Sequence, residues 1–196
     1  KSYSVRQSCK RMKEERLVSS MNDQIAKQTR ALEQFMASLD MDVFGFCSVE
    51  ALSKRERPGR RPCDIWPEAK SLIFFAVGQA DSLSKSWCQE ALVGDIVAIT
   101  INELSIRALK ICRYIRRQGE KAYYVRVHGD GPLAVGIRLA DVGEEAGCGY
   151  IGKNSMLITH KYGPRANLGV VPTTMELLYN ERKVESRCGN CTMCQK

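Results

Sequence analysis

The sequence predicts an α/β (α+β) layered domain that is followed by a short cysteine-rich segment. Segments with helical periodicity alternate with short apolar runs typical of strands. Three of the nine cysteines fall in the last nine residues. With 196 residues, of which 44% are hydrophobic, the chain is long enough to bury one core. We therefore expect an α/β domain over residues 1–180 and a separate segment over 181–196.

The first half predicts one helix and two strands. Apolar residues at helical spacing favour a helix from about Val5 to Leu39. MDVFGFCSVE, over 41–50, then predicts a strand that buries Val43, Phe44, Phe46 and Val49. LSKRERPGRRPCDIWPEAK, over 52–70, has the prolines and charges of a loop. SLIFFAVG, over 71–78, is typical of a central strand because it is apolar throughout.

The second half predicts two helices and a strand. A long helix is expected from Trp87 to Gln118, with a possible break at Gly94, because apolar residues recur every three or four positions. AYYVRV, over 122–127, follows Gly119 and predicts a strand. A further helix is expected over 133–146. The rest of the domain, to about residue 177, is rich in glycine and must turn tightly or approach a ligand closely.

The charge is basic overall, at +8, and unevenly placed. Residues 1–30 carry a net +5 and residues 107–126 a net +6. These residues are not interleaved with aromatic side chains and no nucleic-acid motif accompanies them, so a solvated helix face is the favoured interpretation. No apolar stretch is long enough to cross a bilayer and no signal core is visible, so we expect a soluble cytoplasmic protein without membrane contact.

The clearest chemical signal is the spacing C-x2-C-x2-C at Cys188, Cys191 and Cys194. It matches the [4Fe–4S] run of bacterial ferredoxins up to the third ligand. Zinc is a weaker alternative, because no second C-x2-C knuckle or histidine pair is present. The fourth cysteine of such a run would fall just beyond Lys196. We therefore expect a longer protein and an incomplete ligand set in this chain, with the six other cysteines as buried apolar groups.

The glycine-rich segment is less specific by itself. Gly147, Gly149 and Gly152 fit the bare G-x-G-x-x-G spacing, but a predicted helix precedes them and basic residues follow. A dinucleotide site needs a preceding strand and an acid about 20 residues on. A structural turn with a helix cap and a ligand-binding turn both remain open.

Two segments carry a family resemblance. AGCGYIGKNSMLITHKYGPRANLGVVPTTMEL with the following CGNCTMCQK, and RPCDIWPEAKSLIFFAVG before them, resemble the epoxyqueuosine reductase-like proteins and, more distantly, the corrinoid reductive dehalogenases. The resemblance implies a nitroreductase-like fold that holds cobalamin near a pair of [4Fe–4S] clusters. It also implies that electrons pass through the clusters to the corrinoid, which reduces the substrate. By motif position, the implied corrinoid-side residues are Gly152, Lys153, Asn154, Tyr162, Gly163 and Arg165.

The sequence also departs from that family. GDIVAIT, over 94–100, stands where the epoxyqueuosine enzymes have G-x-D-Y-H. Asp130, in HGDGP, is our candidate catalytic acid, but its spacing from the proline and from the glycine-rich segment differs from the family pattern. A turn aspartate between glycines is the alternative. These departures put queuosine chemistry in doubt.

Three functions are therefore compared. The first is an iron–sulfur oxidoreductase that reduces a small organic or tRNA-derived substrate through a corrinoid and takes electrons from a donor such as ferredoxin or flavodoxin. The second is a non-catalytic corrinoid-binding, flavin-binding or electron-transfer accessory protein, with flavin as the alternative cofactor. The third is a basic tRNA-binding domain, which would bind tRNA with a steep salt dependence.

Overall fold

The computed structural model describes residues 2–41, 43–59, 61–79, 89–125, 137–179 and 183–195. The elements follow the predicted alternation of helices and strands. In chain order they are α1 (Ser2–Ala37), β1 (Val43–Ser48), α2 (Val49–Ser53), α3 (Pro62–Ile65), β2 (Ser71–Gly78), α4 (Gln89–Arg117), α5 (Leu139–Glu145), β3 (Gly149–Ile151), β4 (Leu157–Thr159), β5 (Ala166–Thr173) and a 3-10 turn (Met193–Gln195).

Two antiparallel sheets organise the described residues. The larger has the order β1, β2, β5, so β2 is its central strand. Phe44 of β1 pairs with Phe75, and Val170 of β5 pairs with Phe74. The smaller sheet is the hairpin of β3 and β4, in which Gly149 pairs with Thr159. The prediction of SLIFFAVG as the central strand is confirmed, although its neighbours run antiparallel to it.

Both faces of β2 are covered, which explains its unbroken apolar run. Ile73, Phe75 and Val77 pack with α1 and α4 through one core cluster. Leu72, Phe74 and Ala76 pack on the opposite face with α2, α5 and the small hairpin. Phe74 and Phe75 are fully buried, and each contributes roughly 1.5–3 kcal/mol by leaving water. The result is the layered helix-and-sheet domain that the periodicity predicts.

Local chemistry accounts for two short helices that the sequence did not predict. Val49, expected at the end of a strand, begins α2, because the Ser48 hydroxyl accepts hydrogen bonds from the amides of Glu50 and Ala51. Pro62 begins α3, where its missing amide proton costs nothing. Both helices lie in or beside the segment predicted as a loop.

The long helix α4 and the edge of the larger sheet also differ from expectation. Gly94 does not interrupt α4, which is continuous over its described length. AYYVRV forms only isolated bridges in its described part, between Ala122 and Thr173 and between Val125 and Val170. Residues 122–125 therefore lie along β5 through single bridges. Within the described ranges, no helix has both the length and the apolarity to cross a membrane.

Candidate functional site

The β3–β4 hairpin presents the first group of predicted site residues on a tight turn. The Gly152 amide donates to the Met156 carbonyl at 2.9 Å, and the Ser155 amide donates to the Gly152 carbonyl at 2.9 Å. The Asn154 carboxamide oxygen accepts from the Met156 amide at 3.2 Å. Gly152 is buried, whereas Lys153 and Asn154 are exposed. Asn154 therefore shapes the turn, and the long side chain of Lys153 is the one that can reach outward.

A second turn, over 159–163, carries Tyr162 and Gly163. Thr159 closes it, because its amide donates to the Gly163 carbonyl and the Gly163 amide donates back to the Thr159 carbonyl, each at 2.9 Å. The Thr159 hydroxyl also donates to the Gly163 carbonyl and accepts from the Tyr162 amide, each at 3.1 Å. Gly163 has a φ of +57° and open space where a Cβ would lie, a conformation that favours glycine.

This second turn lies against the end of β2. A Cβ on Gly78 would lie 2.3 Å from the Tyr162 ring, so the ring rests on the bare glycine backbone. The Gln79 amide donates to the Arg165 carbonyl at 3.0 Å. The Arg165 side chain is exposed. The two segments that carried the family resemblance therefore meet in space at this point.

Thr159 is a site residue that sequence analysis did not identify. It is only 2% exposed, and its hydroxyl is fully used by the turn that presents Tyr162 and Gly163. A threonine at the end of an apolar run is ordinary in a strand. Its role becomes visible only when its hydrogen-bond partners are known.

The three cysteines of the C-x2-C-x2-C run lie on a short loop, with thiols that are not paired in disulfides. Cys188 is half-buried, and Cys191 and Cys194 are exposed. The Cys191 amide donates to the Cys188 carbonyl at 2.8 Å and turns the chain between them. Across the described residues, no three His, Cys, Asp or Glu side chains converge closely enough to hold a metal. The soft thiol donors suit iron, but this loop shows three donors that are not gathered around one point.

Lys153 connects the hairpin to this loop. Its ammonium donates to the carbonyl of Gly189 at 2.8 Å and to the carbonyl of Cys191 at 2.9 Å. The Lys153 backbone amide is the main cause that lowers the pKa of the Cys188 thiol from its usual value, followed by the Ser186 hydroxyl. The structure therefore brings Lys153, on the predicted corrinoid side, against the backbone of Gly189 and of Cys191, which is one of the three predicted metal ligands.

The hairpin is anchored to the rest of the domain by an ionic network. Arg55 donates to Glu144 at 2.7 Å and to Glu145 at 3.0 Å. The other carboxylate oxygen of Glu144 accepts from the Ile151 amide, in β3, at 3.0 Å. Burial alone raises the pKa of Glu144, but the hydrogen bonds from Arg55 and Ile151 outweigh it, so this pKa lies below its usual value. Glu144 thus joins α5, β3 and the end of α2.

Glu144→Gln is expected to lower the free energy of unfolding by about 1 kcal/mol at neutral pH, because it weakens charge-assisted hydrogen bonds. Because the pKa of Glu144 is lower in the folded protein than in the unfolded chain, its ionised carboxylate stabilises the folded state fully at pH values above the unfolded pKa of about 4.3. This stabilisation is lost as the pH falls through the pKa of the folded state. Urea unfolding at several pH values should therefore show the difference shrinking in acid. Glu145→Gln is the control. Among the described contacts, the Glu145 carboxylate is bonded by Arg55 alone, so this substitution should lower the free energy of unfolding by about 0.5 kcal/mol. Equal effects would contradict the bridging role of Glu144.

The lone cysteines behave as core thiols where the structure describes them. Cys47 and Cys112 are buried, and Cys63 and Cys148 are half-buried. Burial raises the pKa of Cys112 to about 11 and that of Cys148 to about 12. Such thiols stay protonated and unreactive at neutral pH. The expectation of burial therefore holds fully for two of them and in part for the other two, while Cys9 and Cys88 lie outside the described side chains.

Asp130, the candidate catalytic acid, lies outside the described residues. Cavities of about 570 and 360 Å³ open along α1, and neither is lined by a residue of the predicted site. The basic character of residues 107–126 is visible at the end of α4, where Lys110, Arg113, Arg116 and Arg117 are exposed. The interpretation of this charge as a solvated helix face agrees with their exposure.

Comparison of the sequence with known proteins confirms the resemblance. No family model matches the chain. It is 47% identical over 51 residues to an epoxyqueuosine reductase of Gloeobacter violaceus, covering 26% of this chain and 16% of that protein. It is 30% identical over 131 residues to a tetrachloroethene reductive dehalogenase of Dehalobacter restrictus, covering 65% of this chain and 22% of that protein. The chain thus matches less than a quarter of either relative.

Solved structures show the same fold. An epoxyqueuosine reductase bound to an epoxyqueuosine-modified tRNA stem loop matches 86% of this chain and 50% of its own, with a TM-score of 0.61 and 17% identity. A reductive dehalogenase whose structure suggests a B12-dependent mechanism matches 83% of this chain and 22% of its own, with a TM-score of 0.62 and 22% identity. One of these neighbours is B12-dependent, and the comparisons give the flavin alternative no support.

Proposed function

Because this chain resembles the epoxyqueuosine reductases and reductive dehalogenases in sequence and in fold, we propose that it is part of a corrinoid-dependent iron–sulfur oxidoreductase. The single observation that carries this proposal is the contact between Lys153 and the cysteine loop. It joins the glycine-rich hairpin to the backbone of the loop that carries the three thiols, which supports a shared site. Electron transfer between two cofactors requires such proximity, and an isolated turn motif would not provide it.

The proposed metal ligands are Cys188, Cys191 and Cys194. Their thiol chemistry fits a [4Fe–4S] cluster, and the lowered pKa of Cys188 favours the thiolate that binds metal. The set needs a fourth ligand and a closer approach of the thiols, since the described residues do not form a closed metal site. When bound, the cluster supplies electrons and the corrinoid supplies a reduced cobalt centre. The role of the loop is to hold the thiols beside the hairpin.

The proposed corrinoid-side residues lie on the two turns. Gly163 leaves open space at the surface, and Arg165 is exposed beside it. Such a surface fits a large ligand with many hydrogen-bond acceptors, because an arginine fork pairs with amide or phosphate oxygens. The Tyr162 ring rests on Gly78 and its backbone amide donates to the Thr159 hydroxyl, so Tyr162 lies in the same turn as Gly163. Gly152 and Asn154 form the tip of the hairpin.

The cofactor claim is tested by titrating the full-length protein, assembled with iron and sulfide, with cobalamin and following visible absorption. We expect saturable binding, and Arg165→Met should weaken it about tenfold through loss of a charge-assisted contact. Lys110→Met removes an exposed charge of α4 and should leave the affinity unchanged. If the protein holds iron but never binds cobalamin, the accessory electron-transfer function replaces the reductase.

A tRNA-derived substrate is proposed as one of the two substrate classes, beside a small organic molecule. The solved epoxyqueuosine reductase with a tRNA stem loop has the same fold, and the exposed basic end of α4 offers positive charge to phosphates. The departures at GDIVAIT and Asp130 argue against the epoxide itself. If tRNA binds, its affinity should fall steeply as the salt concentration rises. Weak binding that does not depend on salt would contradict a tRNA-derived substrate and favour the small organic molecule.

A further inference from the structure

Lys153 stands where the family resemblance places a corrinoid contact, yet its ammonium is already engaged by protein. The side chain is exposed, but its Nζ donates to two backbone carbonyls, those of Gly189 and Cys191, at 2.8 and 2.9 Å. Both distances are those of strong charge-assisted hydrogen bonds. An ammonium has three protons, so most of its donor capacity is spent on the cysteine loop.

The two carbonyls belong to the part of the loop that sets the position of the thiols. Gly189 follows Cys188 directly and has a φ of +44°. Cys191 is itself tied back to Cys188 by its amide, at 2.8 Å. Fixing the carbonyls of Gly189 and Cys191 therefore restrains the backbone on both sides of the turn. One side chain from the hairpin controls the shape of the loop.

We infer that Lys153 is a positioning residue of the cysteine loop and not a corrinoid ligand. It clamps the cysteine loop to the β3–β4 hairpin and so fixes the backbone that carries Cys188 and Cys191. The assignment of a cluster to these thiols rests on the proposed function. The clamp itself is a property of the protein without any cofactor.

The clamp is tested first in the cofactor-free full-length protein. Lys153→Met keeps the length of the side chain and removes the charge and the donors. Hydrogen exchange of the peptide over 186–195 is expected to quicken several-fold, because the bond from the Cys191 amide loses its support. Lys153→Arg should restore most of the protection, and Lys110→Met, on exposed α4, should change nothing. Unchanged exchange in Lys153→Met would overturn the clamp whether or not the protein binds iron.

The effect on the cluster is tested in the assembled protein. Lys153→Met is expected to speed the loss of iron to a chelator about tenfold, while cobalamin affinity stays within about twofold of wild type. Weaker cobalamin binding with an unchanged rate of iron loss would reverse the inference and make Lys153 a corrinoid ligand. If the wild-type protein never takes up iron, the proposed function is wrong. The hydrogen-exchange measurement on the cofactor-free protein would still test the clamp.

Discussion

Cys188→Ser is expected to reduce the affinity of the protein for iron by more than about tenfold. Substituting a residue that only positions a metal ligand already lowers metal affinity about ten- to a hundredfold, and Cys188 is a proposed ligand itself. Cys188 is half-buried, and the Lys153 amide and the Ser186 hydroxyl lower the pKa of its thiol. Serine keeps the size of the side chain but provides a poor ligand for iron. Iron and sulfide content after assembly of the full-length protein, with the visible absorption of the cluster, measures the loss.

The matched control is Cys63→Ser, a lone half-buried cysteine with no place in the C-x2-C-x2-C run. It should leave iron and sulfide content at the wild-type level. Cys191→Ser and Cys194→Ser should resemble Cys188→Ser, because a cluster that loses any one ligand is exposed to solvent and oxidation. If all four variants hold the same iron as the wild type, the thiols of the run are not the ligands.

Gly149→Ala is expected to destabilise the protein by about 2 kcal/mol and to disturb the hairpin. A Cβ at this position would lie 2.4 Å from the Ile158 carbonyl oxygen and 3.2 Å from the Thr159 Cα, both of which are backbone atoms of β4. A backbone cannot rotate away as a side chain can, so the two strands must separate. The clamp of Lys153 should fail with them, and iron retention should fall together with the free energy of unfolding.

The matched control is Gly94→Ala, which should change the free energy of unfolding in the opposite direction. Gly94 lies within α4, is exposed, and has nothing within 4 Å of the Cβ position. Gly94→Ala should therefore stabilise the protein by about 0.5 to 1 kcal/mol, because alanine favours a helix over glycine. Urea unfolding compares the two variants. A Gly149→Ala protein as stable as Gly94→Ala would show that β3 and β4 are less closely packed than the structure indicates.

The parts of the fold that follow from neighbouring residues could be predicted from the sequence. The apolar run of β2 and the apolar stripe of α4 indicated a central strand and a long helix, because each pattern records which faces are buried. β5 was not predicted. It contains Pro172, which is unusual within a strand, and its pairing with β2 joins residues such as Leu72 and Pro172 that are distant in the chain.

What the sequence determined by itself is the chemistry available: three thiols at ferredoxin spacing, a glycine-rich segment, and the motifs that both groups of relatives share. What only the tertiary structure decided is which of these groups meet. The hydrogen bonds of Lys153 to the cysteine loop span 36 and 38 residues, and the bond from Arg55 to Glu144 spans 89. No local pattern encodes such contacts, because they depend on how β2 arranges the layers on its two faces. These contacts carry our proposal that Lys153, which the sequence predicts as a corrinoid contact, clamps the cysteine loop.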